Sequence, residues 1–142
     1  MFEKDTTQVA ALVVEDERDY AELLAALLEE DGYCVEYAVD GIDALEHVKD
    51  RKPDVITLDI QMPRNSGAQF YRELKSDSRY AEVPVVVVTG ITKDDPDMEN
   101  FVRAFLEVEH LPMPDAYLEK PVDGGEFLRV VRDSLRPNPV SA

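Results

Sequence analysis

Short apolar runs alternate with amphipathic stretches along this chain, between residues 10 and 135. Five of the runs are candidate strands, at residues 10–14, 35–39, 55–58, 85–88 and 116–118. Three of them are unbroken aliphatic or β-branched runs, which is typical of strands covered by helices on both faces. The run at 35–39 carries a charged residue and is predicted to be an edge strand.

The segments that follow these runs have apolar residues at helical spacing, so we predict five helices. Their apolar faces are Tyr20, Leu23, Leu24, Leu27 and Leu28; Ile42, Leu45 and Val48; Phe70, Tyr71 and Leu74; Met98, Phe101, Val102, Phe105 and Leu106; and Phe127, Leu128, Val131 and Leu135. Gly32 is expected to end the first helix, and the fifth is expected to begin at about Glu126. We interpret all five faces as parts of a core.

Alternating strands and helices predict an α/β fold with a doubly wound parallel sheet. We expect one domain at residues 10–136, an N-terminal extension at 1–9 and a flexible tail at 137–142. If the strand order is 2-1-3-4-5, the first and third strands are neighbours where the order reverses. Open sheets of this kind bind their ligands at that point.

Polar residues follow four of the predicted strands. Glu15 and Asp16 follow the first strand, Asp59 the third and Thr89 the fourth, and Lys120 stands just beyond the fifth. Parallel strands end at the same edge of a sheet, so we expect these side chains to converge. Each also has a simpler explanation, such as a helix cap, a turn or a solvated charge. The coincidence of all five favours a functional site.

The chemistry of this set indicates a metal-dependent phosphoryl acceptor. Three carboxylates in contact repel one another unless a cation lies between them, and Mg²⁺ prefers oxygen ligands, so Glu15, Asp16 and Asp59 predict a Mg²⁺ site. The Thr89 hydroxyl and the Lys120 ammonium are suitable donors to phosphate oxygens. Asp59 lies between the acidic pair and these donors, which makes it the candidate nucleophile.

The amino-acid composition restricts the kinds of molecule that this chain is expected to bind. Fifteen Lys and Arg against 31 Asp and Glu give a net charge of −16, which disfavours binding to nucleic acid or an anionic membrane. Acidity for solubility alone explains the charge equally well. The single cysteine, the polar N-terminus and the lack of a long apolar run predict a soluble cytoplasmic protein.

Four motifs, ALVVEDE, DVITLDIQMP, VVVVTG and YLEKP, resemble the receiver domains of bacterial response regulators. The resemblance runs from about Ala10 to Leu135 and implies a flavodoxin-like (βα)5 fold. It implies that Asp59 accepts the phosphoryl group and that Asp16 binds Mg²⁺ directly, with Glu15 helping through water. It also implies that the main-chain carbonyl of Gln61 is a metal ligand.

The same resemblance implies roles for residues near the last two strands. Thr89 would be the switch hydroxyl, and Lys120 would pair with the phosphoryl group and precede a cis peptide bond to Pro121. Tyr117 stands where the family has a switch aromatic, which would move inward when phosphorylation draws Thr89 toward the phosphate. An aromatic packed on an edge strand is the alternative for Tyr117.

Two features depart from the family pattern. Glu15 stands where most members have aspartate, and the stretch from Thr89 to Lys120 is several residues longer than usual and includes HLPMPD. We hypothesise that this stretch forms a lengthened fourth helix and loop that select an uncommon partner. An inert surface insertion is an equally good explanation, because long loops cost little stability.

The resemblance implies a stand-alone response regulator, since few residues follow the fifth helix. Its phosphoryl group would come from a phosphohistidine of a sensor histidine kinase or histidine phosphotransfer protein. It would signal to an unknown downstream protein through the face of the fourth helix, fifth strand and fifth helix, as a monomer or weak phosphorylation-dependent dimer. We expect no enzymatic activity beyond its own phosphorylation and dephosphorylation.

Three other functions remain as alternatives. A pseudo-receiver would keep the fold and act by binding alone, without phosphorylation. A phosphatase of the haloacid dehalogenase type would need a second aspartate two positions after the nucleophile, where Gln61 stands. A flavodoxin would need a phosphate loop rich in Ser, Thr and Gly after the first strand, where this chain is acidic.

Overall fold

The computed structural model describes residues 8–90 and 111–135. Its strands are β1 (Ala10–Val14), β2 (Cys34–Ala38), β3 (Val55–Leu58), β4 (Val85–Thr89) and β5 (Ala116–Glu119). They form a parallel sheet in the order β2-β1-β3-β4-β5. The predicted doubly wound α/β sheet, its strand order and the edge position of β2 are therefore confirmed.

Helices connect the strands in the described part of the chain. They are α1 (Arg18–Glu30), α2 (Gly41–Asp50), α3 (Ser66–Ser76) and a C-terminal helix (Gly124–Leu135) that follows β5. The predicted fourth helix, with its apolar face from Met98 to Leu106, lies outside the described residues, as do the tail at 137–142 and most of the N-terminal extension. None of the described helices is both long enough and apolar enough to cross a membrane.

Apolar side chains cover the sheet on both faces. On one face the buried layer includes Leu24 and Leu28 of α1 and Phe127 of the C-terminal helix. On the other it includes Val48 of α2 and Phe70 of α3. All residues of β1, β3 and β4 are buried, which explains why their sequences are unbroken apolar runs.

Two residues that we assigned to buried helix faces lie on the surface instead. Leu23 is 48% exposed and Ile42 is 73% exposed. Small residues shift the buried stripe of each helix, because α1 packs through Ala21 and Ala25 as well as through leucines, and α2 packs through Ala44. A position next to the stripe is rotated by about 100° and faces solvent.

Two glycines let α2 and α3 approach their neighbours closely at the carboxyl edge of the sheet. A Cβ on Gly41 would lie 2.2 Å from the carbonyl oxygen of Ser66, and one on Gly67 would lie 2.7 Å from that of Asp59. Neither distance is possible for a real side chain, so the packing of both helices requires glycine. Gly67 in particular holds α3 against the main chain of Asp59.

We expect Gly67→Ala to destabilise the protein by about 1 to 3 kcal/mol, because the added methyl group must push α3 away from Asp59. The matched control is Gly125→Ala, where the new Cβ would lie 3.4 Å from Asp123 Oδ2, an ordinary contact. That change is expected to be neutral or to stabilise by up to about 1 kcal/mol. Urea unfolding measures both, and equal stability of the two variants would contradict the packing argument.

The segment before β5 packs against α3. The Tyr71 hydroxyl, on a fully buried side chain, donates to the carbonyl oxygen of Pro112 at 2.7 Å, and Leu111 packs against the core. Asp115 accepts a hydrogen bond from the amide of Val85 at 2.9 Å. The described end of the lengthened segment is therefore attached to the fold, while its role in partner selection stays a hypothesis.

Candidate functional site

The ends of β1 and β3 bring three carboxylates together at the carboxyl edge of the sheet. Each of Glu15, Asp16 and Asp59 offers an oxygen within 4.8 Å of the oxygens of the other two. Glu15 and Asp59 are buried, whereas Asp16 is exposed. The cluster predicted from the strand ends therefore exists, with Asp16 on its solvent side.

The Asp59 carboxylate is held in one orientation. Its main-chain amide donates to the carbonyl oxygen of Val14 at 3.0 Å, which attaches the loop after β3 to β1. The amide of Gln61 donates to Oδ1 at 2.9 Å, and Lys120 Nζ lies 3.3 Å from Oδ2. The residue is only 4% exposed, so the surrounding chain shields most of this side chain from solvent.

Lys120, just beyond β5, also contacts the acidic cluster. Its amide donates to the Thr89 carbonyl at 2.8 Å, and its ammonium donates to Glu15 Oε1 at 2.6 Å. Burial alone would lower the pKa of Lys120, but the hydrogen bond to Glu15 and the charges of Asp59 and Glu15 raise it above its ordinary value. The lysine is therefore a stable cation at this edge of the sheet.

The Glu15 carboxyl titrates in an unusual range. Burial raises its pKa from 4.5 to about 7, and the charge of Asp59 adds to this effect. The hydrogen bonds from Lys120 and from the amide of Glu17 oppose the shift without cancelling it. An added cation would favour the ionised form, because it would offset the repulsion between the two carboxylates.

The other predicted site residues are placed as follows. Thr89 is the last residue of β4 and is 1% exposed. Tyr117 lies in β5, in register with Val87, and is 38% exposed. Gln61 is exposed in the loop after β3, and the Lys120–Pro121 peptide bond is cis, as predicted. All of them lie on or near the sheet edge where the carboxylates meet.

Sequence reasoning missed the place of Tyr20 at this site, since we assigned it only to the apolar face of α1. The Lys120 ammonium lies 4.4 Å from the centre of its ring. The available signal was its position in the first turn of α1, four residues after Asp16, which brings a side chain back toward the sheet edge.

The donor set fits a hard divalent cation. Glu15, Asp16 and Asp59 offer only oxygen, and the cluster joins an exposed carboxylate to two buried ones. Mg²⁺ takes oxygen ligands and usually keeps several waters, which suits a site open on one side. Burial is the main cause of the raised pKa of Glu15, and the nearby charge of Asp59 contributes to it, so a cation bound here would favour the ionised carboxylate.

Comparison with known proteins gives a consistent result. The family model of the response regulator receiver domain matches residues 11–132. The DNA-binding dual master transcriptional regulator RpaA of Synechocystis is 32% identical over 88% of this chain. The chain spans 48% of the length of RpaA, less than two thirds. The polar-differentiation response regulator DivK of Brucella anthropi is 29% identical over 89% of the chain and 95% of its own length.

Solved structures of receiver domains also have the fold of this chain. The receiver domain of the sensor histidine kinase PA1611 from Pseudomonas aeruginosa superposes with a TM-score of 0.77 and 26% identity. The match covers 91% of this chain and 98% of that domain, which was crystallised with a magnesium ion coordinated in its active site cleft.

Proposed function

Because the chain belongs to the response regulator receiver domain family, we propose that it accepts a phosphoryl group on Asp59 in a Mg²⁺-dependent reaction. The donor is a phosphohistidine of a sensor histidine kinase or of a histidine phosphotransfer protein. The observation that carries the proposal is the buried Asp59 carboxylate, which contacts Lys120 at 3.3 Å within a cluster of three carboxylates. Catalysis is confined to the protein's own phosphorylation and dephosphorylation.

In the proposed step, an oxygen of the Asp59 carboxylate attacks the phosphorus. The new P–O bond forms as the P–N bond to the donor imidazole breaks, and the imidazole leaves with that electron pair, neutral if its other nitrogen is protonated. Lys120 and the Thr89 hydroxyl donate to the phosphoryl oxygens. Hydrolysis later transfers the phosphoryl group to water and restores the carboxylate.

The residues that would hold Mg²⁺ are Glu15, Asp16, Asp59 and the main-chain carbonyl of Gln61. When bound, the ion neutralises charge on the carboxylates and on the phosphoryl oxygens. The oxygen-only donor set supports this assignment. Since Lys120 already donates to Glu15 and Asp59, its ammonium shifts part of its hydrogen bonding to the arriving phosphoryl group.

The pKa of Glu15, raised to about 7, predicts pH-dependent Mg²⁺ binding. Protons compete with the metal below that value, so the affinity at pH 6 is expected to be about tenfold weaker than at pH 8. Titration calorimetry measures the affinity. Glu15→Gln is the control: this variant should bind Mg²⁺ more weakly than the wild type, but its affinity should change little between pH 6 and pH 8. An equally steep pH dependence in that variant would contradict the assignment to Glu15.

We propose that the downstream protein binds at β5 and the surfaces beside it. Phosphorylation adds negative charge near Thr89, and movement of that hydroxyl toward the phosphate lets Tyr117 turn inward. The exposure of Tyr117, at 38%, supports this, because the side chain still has solvent-accessible surface to bury. The output is contact with a downstream protein, by a monomer or a weak phosphorylation-dependent dimer.

Two observations favour a protein partner over DNA. The net charge of −16 opposes binding to nucleic acid, and the match to DivK extends over 95% of that response regulator. We therefore propose that this chain acts through contact with a protein, and its membership of the receiver family supports the further proposal that it acts in the cytoplasm.

Phosphoryl uptake by the 142-residue protein tests the proposed function. Acetyl phosphate with Mg²⁺ is expected to add one phosphoryl group, detected as an increase in intact mass that base or hydroxylamine removes. Replacing Mg²⁺ with a chelator should suppress the increase. A protein that remains unmodified under both conditions would instead be a pseudo-receiver that acts by binding alone.

A further inference from the structure

We infer that Tyr20 is a positioning residue for phosphoryl transfer, which holds the Lys120 ammonium and the main chain after it in place. This inference rests on the proposed function, because it concerns how the phosphoryl-binding lysine is oriented. It assigns a role to a residue that contributes to neither the acidic cluster nor the metal ligands.

Tyr20 contacts the lysine loop on both sides of Pro121. The Lys120 ammonium lies 4.4 Å from the centre of the tyrosine ring. The Tyr20 hydroxyl accepts a hydrogen bond from the amide of Val122 at 3.1 Å. One side chain of α1 therefore attaches to the residue before Pro121 through its ring and to the residue after it through its hydroxyl.

The position of Tyr20 in the fold fixes the lysine loop relative to α1. Tyr20 lies in the first turn of α1, four residues after Asp16 of the acidic cluster. Both Tyr20 and Val122 pack against the apolar layer between the sheet and the C-terminal helix. The tyrosine thus links the position of the acidic cluster to that of the lysine.

The ring restricts Lys120 without competing for its protons. An ammonium group has three N–H donors, and Glu15 and Asp59 each accept one. An aromatic face attracts the cation but offers no strong hydrogen-bond acceptor. The lysine therefore keeps a donor for a phosphoryl oxygen while its ammonium is held over the ring. The side chain thus loses its conformational freedom when the protein folds and not during the reaction.

The experiment compares Tyr20→Leu, which removes the ring, with Tyr20→Phe, which keeps it and removes the hydroxyl. With acetyl phosphate and Mg²⁺, we expect Tyr20→Leu to lower the phosphorylation rate by about 3- to 30-fold. Tyr20→Phe should recover most of the rate. Tyr37→Leu is the matched control, since Tyr37 is 44% exposed on the edge strand β2 and should leave the rate unchanged.

The same substitutions in a Lys120→Met background separate positioning from a structural role. If Tyr20 acts through the lysine, Tyr20→Leu should change the residual rate by less than about twofold in that background. Proton NMR of the Lys120 ε-methylene gives an independent readout, because the ring should shift its signal upfield in the wild type and in Tyr20→Phe but not in Tyr20→Leu.

Three results would overturn the inference. Wild-type rates in Tyr20→Leu, or an equal loss of rate with and without Lys120, would mean that the ring does not position the lysine. The third is a wild-type protein that takes up no phosphoryl group. That result would contradict the proposed function itself, whereas the other two would contradict only the role of Tyr20.

Discussion

Asp59→Asn is expected to abolish phosphoryl uptake from acetyl phosphate, while the protein remains folded. The amide has nearly the shape of the carboxylate and can still accept the hydrogen bond from Gln61, but it is neutral and a poor nucleophile. The charge of Asp59 is a smaller cause of the raised pKa of Glu15 than burial is, and Lys120 keeps its hydrogen bond to Glu15, so the free energy of unfolding should change little.

Intact mass after incubation with acetyl phosphate and Mg²⁺ measures the loss, and urea unfolding measures stability. Asp50→Asn is the matched control, since Asp50 is exposed at the end of α2 and its variant should be phosphorylated like the wild type. Continued phosphoryl uptake by Asp59→Asn would contradict the assignment of the acceptor.

Lys120→Met is expected to reduce both stability and reactivity. Methionine has a similar length but leaves the Glu15 and Asp59 carboxylates without the ammonium that contacts them at 2.6 and 3.3 Å. Removing one partner of a buried ion pair costs about 3 kcal/mol, and losing a donor to the reacting phosphoryl group lowers the rate on the order of 100-fold.

The stability loss should depend on pH in a defined direction. In the folded wild type the pKa of Glu15 is about 7, against 4.5 ordinarily, so raising the pH through this window ionises the unfolded chain first and lowers the free energy of unfolding. Without Lys120 the pKa of Glu15 should rise further. Lys120→Met should therefore be less stable relative to the wild type at pH 8 than at pH 6, and Mg²⁺ should restore part of the difference.

Urea unfolding at both pH values, with and without Mg²⁺, measures this dependence. Lys49→Met is the matched control, because Lys49 is exposed on α2 and its removal should have little effect at either pH. Equal stability of Lys120→Met and the wild type at pH 8 would mean that the lysine does not stabilise the acidic cluster.

The sheet could be predicted because each buried strand is visible as a short run of apolar residues in the sequence. Burial on both faces requires unbroken apolar runs, and the runs at 55–58 and 10–14 coincide with β3 and β1. The assignment of Leu23 and Ile42 to buried helix faces was wrong, because buried alanines of α1 and α2 form part of the packed surface. An apolar pattern alone cannot show which neighbour of a small buried residue turns to solvent.

The acidic cluster could also be predicted, since parallel strands end at one edge and Glu15, Asp16 and Asp59 follow neighbouring strands. The convergence of Lys120 on this cluster was predicted in the same way, but its hydrogen bond to Glu15 in particular and the contact of Tyr20 with Val122 were not. Such contacts depend on side-chain orientation and on the path of the loop after β5. Sequence spacing does not determine either.

Chemical mapping of the phosphorylated residue tests the central claim most directly. The wild-type protein is treated with acetyl phosphate with or without Mg²⁺, reduced with borohydride, which converts an aspartyl phosphate to homoserine, and digested for peptide mass spectrometry. We predict homoserine at position 59 alone, and only when Mg²⁺ is present. Homoserine at another aspartate, or at position 59 to the same extent without the metal, would contradict the account.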